Sequence, residues 1–86
     1  MKQLDARGSR FRGVSTNHLL WQVLVMVYNK MRYVGMIKDE REAARIYDTL
    51  AIQYQGDIAR TNFPYTKKEV IKILSQRPYF LRGGSK

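Results

Sequence analysis

At Asp39 the apolar pattern of this chain changes period, and that switch limits the folds open to it. Upstream, the runs Trp21-Gln-Val-Leu-Val-Met-Val-Tyr28 and Met31-Arg-Tyr-Val-Gly35 are β-branched, aromatic and aliphatic, with little helix-forming material. Asn29-Lys30 is a short polar break between them, so an antiparallel hairpin is the simplest arrangement. Phe11 and Val14 extend the strand-like character back to Arg10. Downstream, Ala43, Ala44, Tyr47, Leu50, Ala51 and Tyr54 recur at three-to-four-residue steps, the period of an amphipathic helix. Asp39 stands three residues before Glu42 with capping-box spacing, and Gly56 falls where a left-handed residue ends a helix. A second capping box, Thr66 to Glu69, precedes Val70, Ile71, Ile73 and Leu74; this helix should stop near Gln76, because Pro78 disfavours helical geometry in the residue before it.

This order predicts an α+β fold: a three-stranded antiparallel sheet packed on one α-helix, with a short extra C-terminal helix. Small Ala43, Ala44 and Ala51 would let helix and sheet approach closely. The expected boundaries are a flexible basic tail over 1–9, the sheet and helix over 10–65, the C-terminal helix over 66–77 and a frayed end over 78–86. One sheet face is then covered by the helix. The other has no obvious cover within the chain, and function should be sought there.

At 86 residues there is room for one domain. No cysteine is present, which removes disulfides and thiolate metal sites. The longest fully apolar run, Val23 to Tyr28, is six residues, far below the ~20 that span a bilayer, and no membrane partner is expected. The polar start MKQLDARGSR does not resemble a secretory signal. Charge is the loudest compositional fact. Residues 1–36 carry +5, residues 37–59 carry −2 and residues 60–86 carry +6, for a net +9. Two basic segments around an acidic one imply a face of positive potential, whose commonest partners are polyanions.

The residues of catalysis are missing. His18 is the one histidine and has no carboxylate or nucleophile pattern near it. The acidic cluster Asp39, Glu40 and Glu42 is explained by capping and by the helix dipole. No Gly-rich phosphate loop, His/Cys metal spacing or Gly-x-Ser-x-Gly elbow occurs, so no enzyme, metal or cofactor is expected.

Particular residues then fall into a known order and spacing: Phe11-Arg-Gly-Val14, Trp21, Arg32-Tyr-Val-Gly35, Glu42-Ala-Ala-Arg-Ile-Tyr-Asp48, Ala51, Gly56, Ala59 and Asn62-Phe-Pro64. Over about residues 9–65 the chain resembles the Apetala-2/ethylene-response-factor DNA-binding domain. That resemblance implies a sheet lying in the DNA major groove with the helix packed behind it. It further implies that Arg12 is the strand-one arginine used on bases and phosphates, and that Tyr33 is the strand-three aromatic that contacts the DNA backbone. The departures are equally informative. Plant members carry arginines at the positions of Ser15 and Asn17, and charged residues at those of Leu24 and Met26. A one-residue deletion falls between Val14 and Trp21, around His18. Recognition of a GC-rich element is therefore not carried over.

Alternation along the second strand puts Trp21, Val23, Val25 and Val27 on the helix side, and Gln22, Leu24 and Met26 on the open face. Met31 and Tyr33 extend this apolar patch. Three readings compete for it: contact with thymine methyls, burial against another protein chain or a second copy, or a register changed by a bulge at Gly13. Arg10, Arg12, Lys30 and Arg32 form the expected phosphate-contacting rim, although alternation turns Arg32 toward the helix side, where Asp48 or the helix start is in reach. Lys67, Lys68 and Lys72 read as a solvated face, Trp21 as core, Asn62 as a partner for buried backbone groups, and Phe63 as a pin for the chain after the helix.

The sequence thus predicts a nuclear, sequence-preferring module for double-stranded DNA, of transcriptional or chromatin type. Contacts are expected from Arg10, Arg12, Ser15, Asn17, His18, Gln22, Leu24, Met26, Lys30, Arg32 and Tyr33. The alternative is a structural subunit of a larger assembly, docking through Leu24, Met26, Met31 and Tyr33; a basic RNA- or ribosome-associated protein is a third.

Overall fold

The computed structural model describes residues 9–76. The expected tail over 1–9, apart from Ser9, and the expected frayed end over 78–86 lie outside the described residues. Strands β1 (Val14–Asn17), β2 (Leu20–Val27) and β3 (Lys30–Ile37) form one antiparallel sheet in the order β1-β2-β3. Helix α1 (Glu40–Gln55) follows, then a short 3-10 turn (Gly56–Ile58) and helix α2 (Lys67–Ser75). The α+β class and the three-strand, two-helix order are those the pattern predicts.

Both helices start as their sequences dictate. Asp39 accepts from the Glu42 backbone N–H at 2.8 Å, and Thr66 and Glu69 close a reciprocal capping box. Gly56, with φ of +68°, ends α1 and donates its N–H to the Ile52 carbonyl.

The core lies between α1 and one sheet face. Val14, Val23, Val25, Val27 and Ile37 meet Ala43, Ala44, Tyr47, Leu50 and Ala51 there. The three alanines are fully buried, so α1 lies close against the sheet as their size allows. Trp21 and Phe63 pack on this cluster from its edge, in the core-facing roles expected of them. Burying Leu50 alone contributes about 1.5–3 kcal/mol.

The strand boundaries differ from expectation in three places. First, β1 begins at Val14, and residues 10–13 make a turn closed by the Val14 N–H on the Phe11 carbonyl. Gly13 sets this: its φ is +78°, and a Cβ there would stand 2.1 Å from the Tyr47 ring. Arg10 and Arg12 therefore precede the first strand. Second, the β2–β3 turn is Tyr28-Asn29, and Lys30 already belongs to β3. Both turn residues have positive φ (50° and 70°), the form whose twist matches a two-residue hairpin. The Tyr28 ring sits edge-on to Tyr54 of α1 at 5.5 Å, which ties the hairpin tip to the helix.

Third, the sheet does contain a bulge, but not at Gly13. The β1–β2 register runs unbroken from Val14↔Val23 to Asn17↔Leu20. Between β2 and β3 the pairs Trp21↔Ile37 and Val23↔Val34 leave Gln22 opposite two residues, Gly35 and Met36. Met36 absorbs the extra length at φ +64°. The bulge keeps Val34 and Ile37 on the helix side, so the face assignment read from alternation stands.

Gly13→Ala is expected to destabilise the domain by about 2–4 kcal/mol, from strain at positive φ plus overlap with Tyr47. Urea denaturation followed by circular dichroism measures this. A loss under 1 kcal/mol would contradict the close approach.

Candidate functional site

The feature that organises the surface beside β1 is a buried carboxylate. Asp48, on the core side of α1, is wholly excluded from solvent. Four donors surround it. The Asn62 N–H (2.7 Å) and Nδ2 (3.1 Å) reach Oδ1, while the Phe63 N–H (3.0 Å) and the Tyr65 hydroxyl (2.9 Å) reach Oδ2. A buried charge is tolerable only when hydrogen-bonded in this way. The segment after α1 is thereby fastened to the helix.

Asn62 passes the constraint to the sheet. Its Oδ1 accepts from the Arg12 N–H at 2.5 Å, and its Nδ2 donates to the Arg12 carbonyl at 3.1 Å. The backbone of Arg12 is thus held from both sides; Asn62 serves backbone groups as expected, but those of an exposed residue rather than buried ones. Two rings flank the same joint. Phe11 and Phe63 lie 5.5 Å apart, with Arg10 over Phe11 at 5.2 Å and Arg41 and Arg45 over Phe63 at 5.2 and 4.9 Å. Each such contact contributes about 0.5–1 kcal/mol when exposed. Ser9 hydrogen-bonds Glu40 at the start of α1 and accepts from the Phe11 N–H. Ser9, Arg10, Phe11, Arg12, Thr61 and Asn62 line an open depression here.

Tyrosine chemistry responds to this environment. Burial pushes the Tyr65 hydroxyl well above the ordinary tyrosine value, and its hydrogen bond to Asp48 adds to the rise. Tyr47 is raised as well, mainly by burial, with the Arg12 charge opposing.

The open sheet face is a second, different surface. Register puts Ser15, Gln22, Leu24, Met26, Met31 and Tyr33 on it, through the pairs Ser15↔Gln22, Leu24↔Tyr33 and Met26↔Met31. Gln22 Nε2 donates to Ser15 Oγ at 3.0 Å, so the end near β1 is polar and ordered. The other end is apolar and uncovered: Leu24, Met26, Met31 and Tyr33 are 39, 45, 60 and 53% exposed. The Tyr33 hydroxyl lies where a Cβ on residue 35 would stand, so Gly35 lets the ring fold down along its own strand. Gln55 Nε2 donates to the Met26 carbonyl at 3.3 Å and fixes this end of β2 to α1.

The expected site residues therefore separate into two groups. Ser15, Gln22, Leu24, Met26 and Tyr33 come together on the open face, and Met31 joins them. Asn17 ends β1 opposite Leu20, and His18, exposed at φ +62°, occupies the β1–β2 loop. The cations do not share the face. Arg10 and Arg12 sit in the turn before β1, while Lys30 and Arg32 pair with Val27 and Val25 on the helix side of β3. β1 and β3 are the two edges of the sheet, so cations border a face that carries no charged side chain among those the register places on it. Sequence reasoning did not find the Asp48–Asn62–Arg12 chain, nor the part of Tyr65 in it; the signal it had was Asn62, read as a partner for backbone groups.

No family model matches the chain. Curated relatives do. An AP2-like ethylene-responsive transcription factor of Arabidopsis thaliana is 36% identical over 81 residues, covering 90% of this chain and 14% of its own length. Another from the same plant, ANT, is 38% identical over 71 residues, covering 78% of this chain and 13% of its own. A third, from Oryza sativa subsp. japonica, is 38% identical over 71 residues, with coverage of 78 and 11%. The chain spans about one seventh or less of the length of these relatives.

Asp48→Ala leaves four donors without their acceptor and is expected to cost about 3–5 kcal/mol in urea denaturation. A pH series tests the tyrosines. Because the folded value is raised, their contribution to stability is complete below pH 10 and falls as pH rises beyond it. Tyr65→Phe is expected to make that alkaline decline shallower; an unchanged decline would contradict the assignment.

Proposed function

The described residues form a domain of the AP2/ERF type, and we propose that it binds double-stranded DNA with sequence preference, its open sheet face turned to the major groove. The relatives are named as transcription factors, and the proposed role is correspondingly in transcriptional regulation in the nucleus. The observation that carries the reading is the uncovered sheet face bordered by cations on a chain of net charge +9. Two interstrand spacings make the sheet about 10 Å across, of the order of the ~12 Å major groove. Edge cations then fall near the groove walls, where the phosphates are, while the centre of the sheet faces base edges.

In this arrangement Arg12 and Arg10 serve one wall, and Lys30 and Arg32 the other. The clamp of Asn62 on the Arg12 backbone fixes where that side chain leaves the fold and lowers the backbone ordering cost on binding. Gln22, oriented by Ser15, can pair bidentately with adenine. Asn17 and His18 lie where the β1–β2 loop meets the groove, and Tyr33 lies toward the β3 wall. A second reading is favoured by the apolar end of the face: Leu24, Met26, Met31 and Tyr33 would dock on another protein chain in a larger assembly.

Fluorescence anisotropy across a salt series tests the electrostatic part. If four phosphates are neutralised, log affinity falls against log salt with a slope of about −3.6. Arg12→Ala is expected to weaken binding by about 1–3 kcal/mol if it reads a base. Lys68→Ala, on the far helix, should leave it within about 0.5 kcal/mol. A salt-independent affinity would sink this account of the sheet edges.

A further inference from the structure

We infer that the apolar end of the open face is a detector of C5 methyl groups, so that Leu24 and Met26 make affinity depend on methylated pyrimidines. The inference rests on the duplex-binding reading above and names what its central residues recognise.

Four side chains carry it. Leu24 faces Tyr33 and Met26 faces Met31, each pair on adjacent strands with Cβ atoms about 4.5–5.5 Å apart. None of Leu24, Met26 and Met31 can donate or accept a strong hydrogen bond, and the Tyr33 hydroxyl lies folded over Gly35. Pressed on an amino or carbonyl edge, such a surface would strip water from a polar group and return nothing, which is costly. The one apolar group in the major groove is the C5 methyl, present on thymine and on 5-methylcytosine and absent from uracil and cytosine. The flanking cations supply the charge complementarity that selects a polyanion as the occupant of this face.

Spacing sharpens the inference. Leu24 and Met26 are two residues apart on β2, about 6.7 Å along the strand. Successive nucleotides on one DNA strand advance by about 3.4 Å. With β2 running along the groove, the two side chains meet methyls about two base steps apart. Fixation of β2 at the Met26 carbonyl and of the hairpin tip at Tyr54 keeps that spacing rigid.

The test uses the 86-residue chain and a duplex enriched by selection from random DNA. Thymines of the motif are replaced singly by deoxyuracil, which removes only the methyl. Loss of about fourfold in affinity is expected at each of two positions about two base pairs apart, the worth of one buried methyl group. Cytosine placed at such a position should bind about fourfold more tightly when C5-methylated. Leu24→Asn and Met26→Gln, both at exposed sites, should each erase the discrimination at one position, with thermal melting checked against wild type. Tight binding to the selected duplex with equal affinity for thymine and uracil throughout would overturn the methyl inference and leave duplex binding standing. Failure to enrich any duplex, together with a dimer in size-exclusion chromatography that Leu24→Asp splits, would overturn both.

Discussion

A carboxylate with no access to water must be surrounded by donors, and in this domain that requirement ties three parts of the chain together. Asp48 sits on the core side of α1, and donors from residues 62–65 surround it among the described residues. Asn62 uses its backbone and one amide hydrogen on Asp48, then its carbonyl oxygen and other amide hydrogen on Arg12. The turn before β1 therefore has its position from the helix by way of a segment fifty residues further on. Gly13 completes the joint, because only a residue without a Cβ lets that turn lie against Tyr47. A small domain with a limited core gains a fixed sheet edge from this network rather than from more apolar area.

The parts of the fold that were legible in the sequence are those governed by local rules. Helix α1 carried its period, its Asp39 cap and its Gly56 stop, and all three hold in the structure. The alternation of β2 assigned Val23, Val25 and Val27 to the core and Leu24 and Met26 to the outside, as found. What escaped was set by backbone conformation or by distance. Asn29 suits positive φ, but Tyr28 and Met36 adopt it with side chains that give little warning, so the hairpin turn shifts by one residue from the expected break and the bulge has no local signal. Gly13 gave a visible signal, but its consequence, that β1 starts after it, depends on Tyr47 thirty-four positions away. Of the Asp48 network the sequence announces only Asn62, as a partner for backbone groups; Asp48 and Tyr65 stand too far apart for a local rule to pair them.

The separation of charge from the open face changes how the site can work. Had the cations stood in the middle of the sheet, phosphate attraction and base recognition would have used the same side chains. With charge at the edges, the proposed binding divides association from selection. In the proposed complex the edge cations would draw the polyanion in and set the salt dependence. The central side chains of that complex, polar at Ser15 and Gln22 and apolar at Leu24 and Met26, would be the ones that select the sequence. A neutral centre contributes little to nonspecific binding, which widens the gap between right and wrong sequences.

In the proposed complex the open face of the sheet meets duplex DNA. Amide chemical-shift mapping by NMR, on titrating the labelled chain with its selected duplex, addresses it most directly. The largest shifts are expected at Arg12, Ser15, Gln22, Leu24, Met26, Lys30 and Tyr33, with the buried residues Ala43, Leu50 and Ala51 little affected. Shifts concentrated on α2, or a sheet whose signals stay unmoved at saturation, would contradict it.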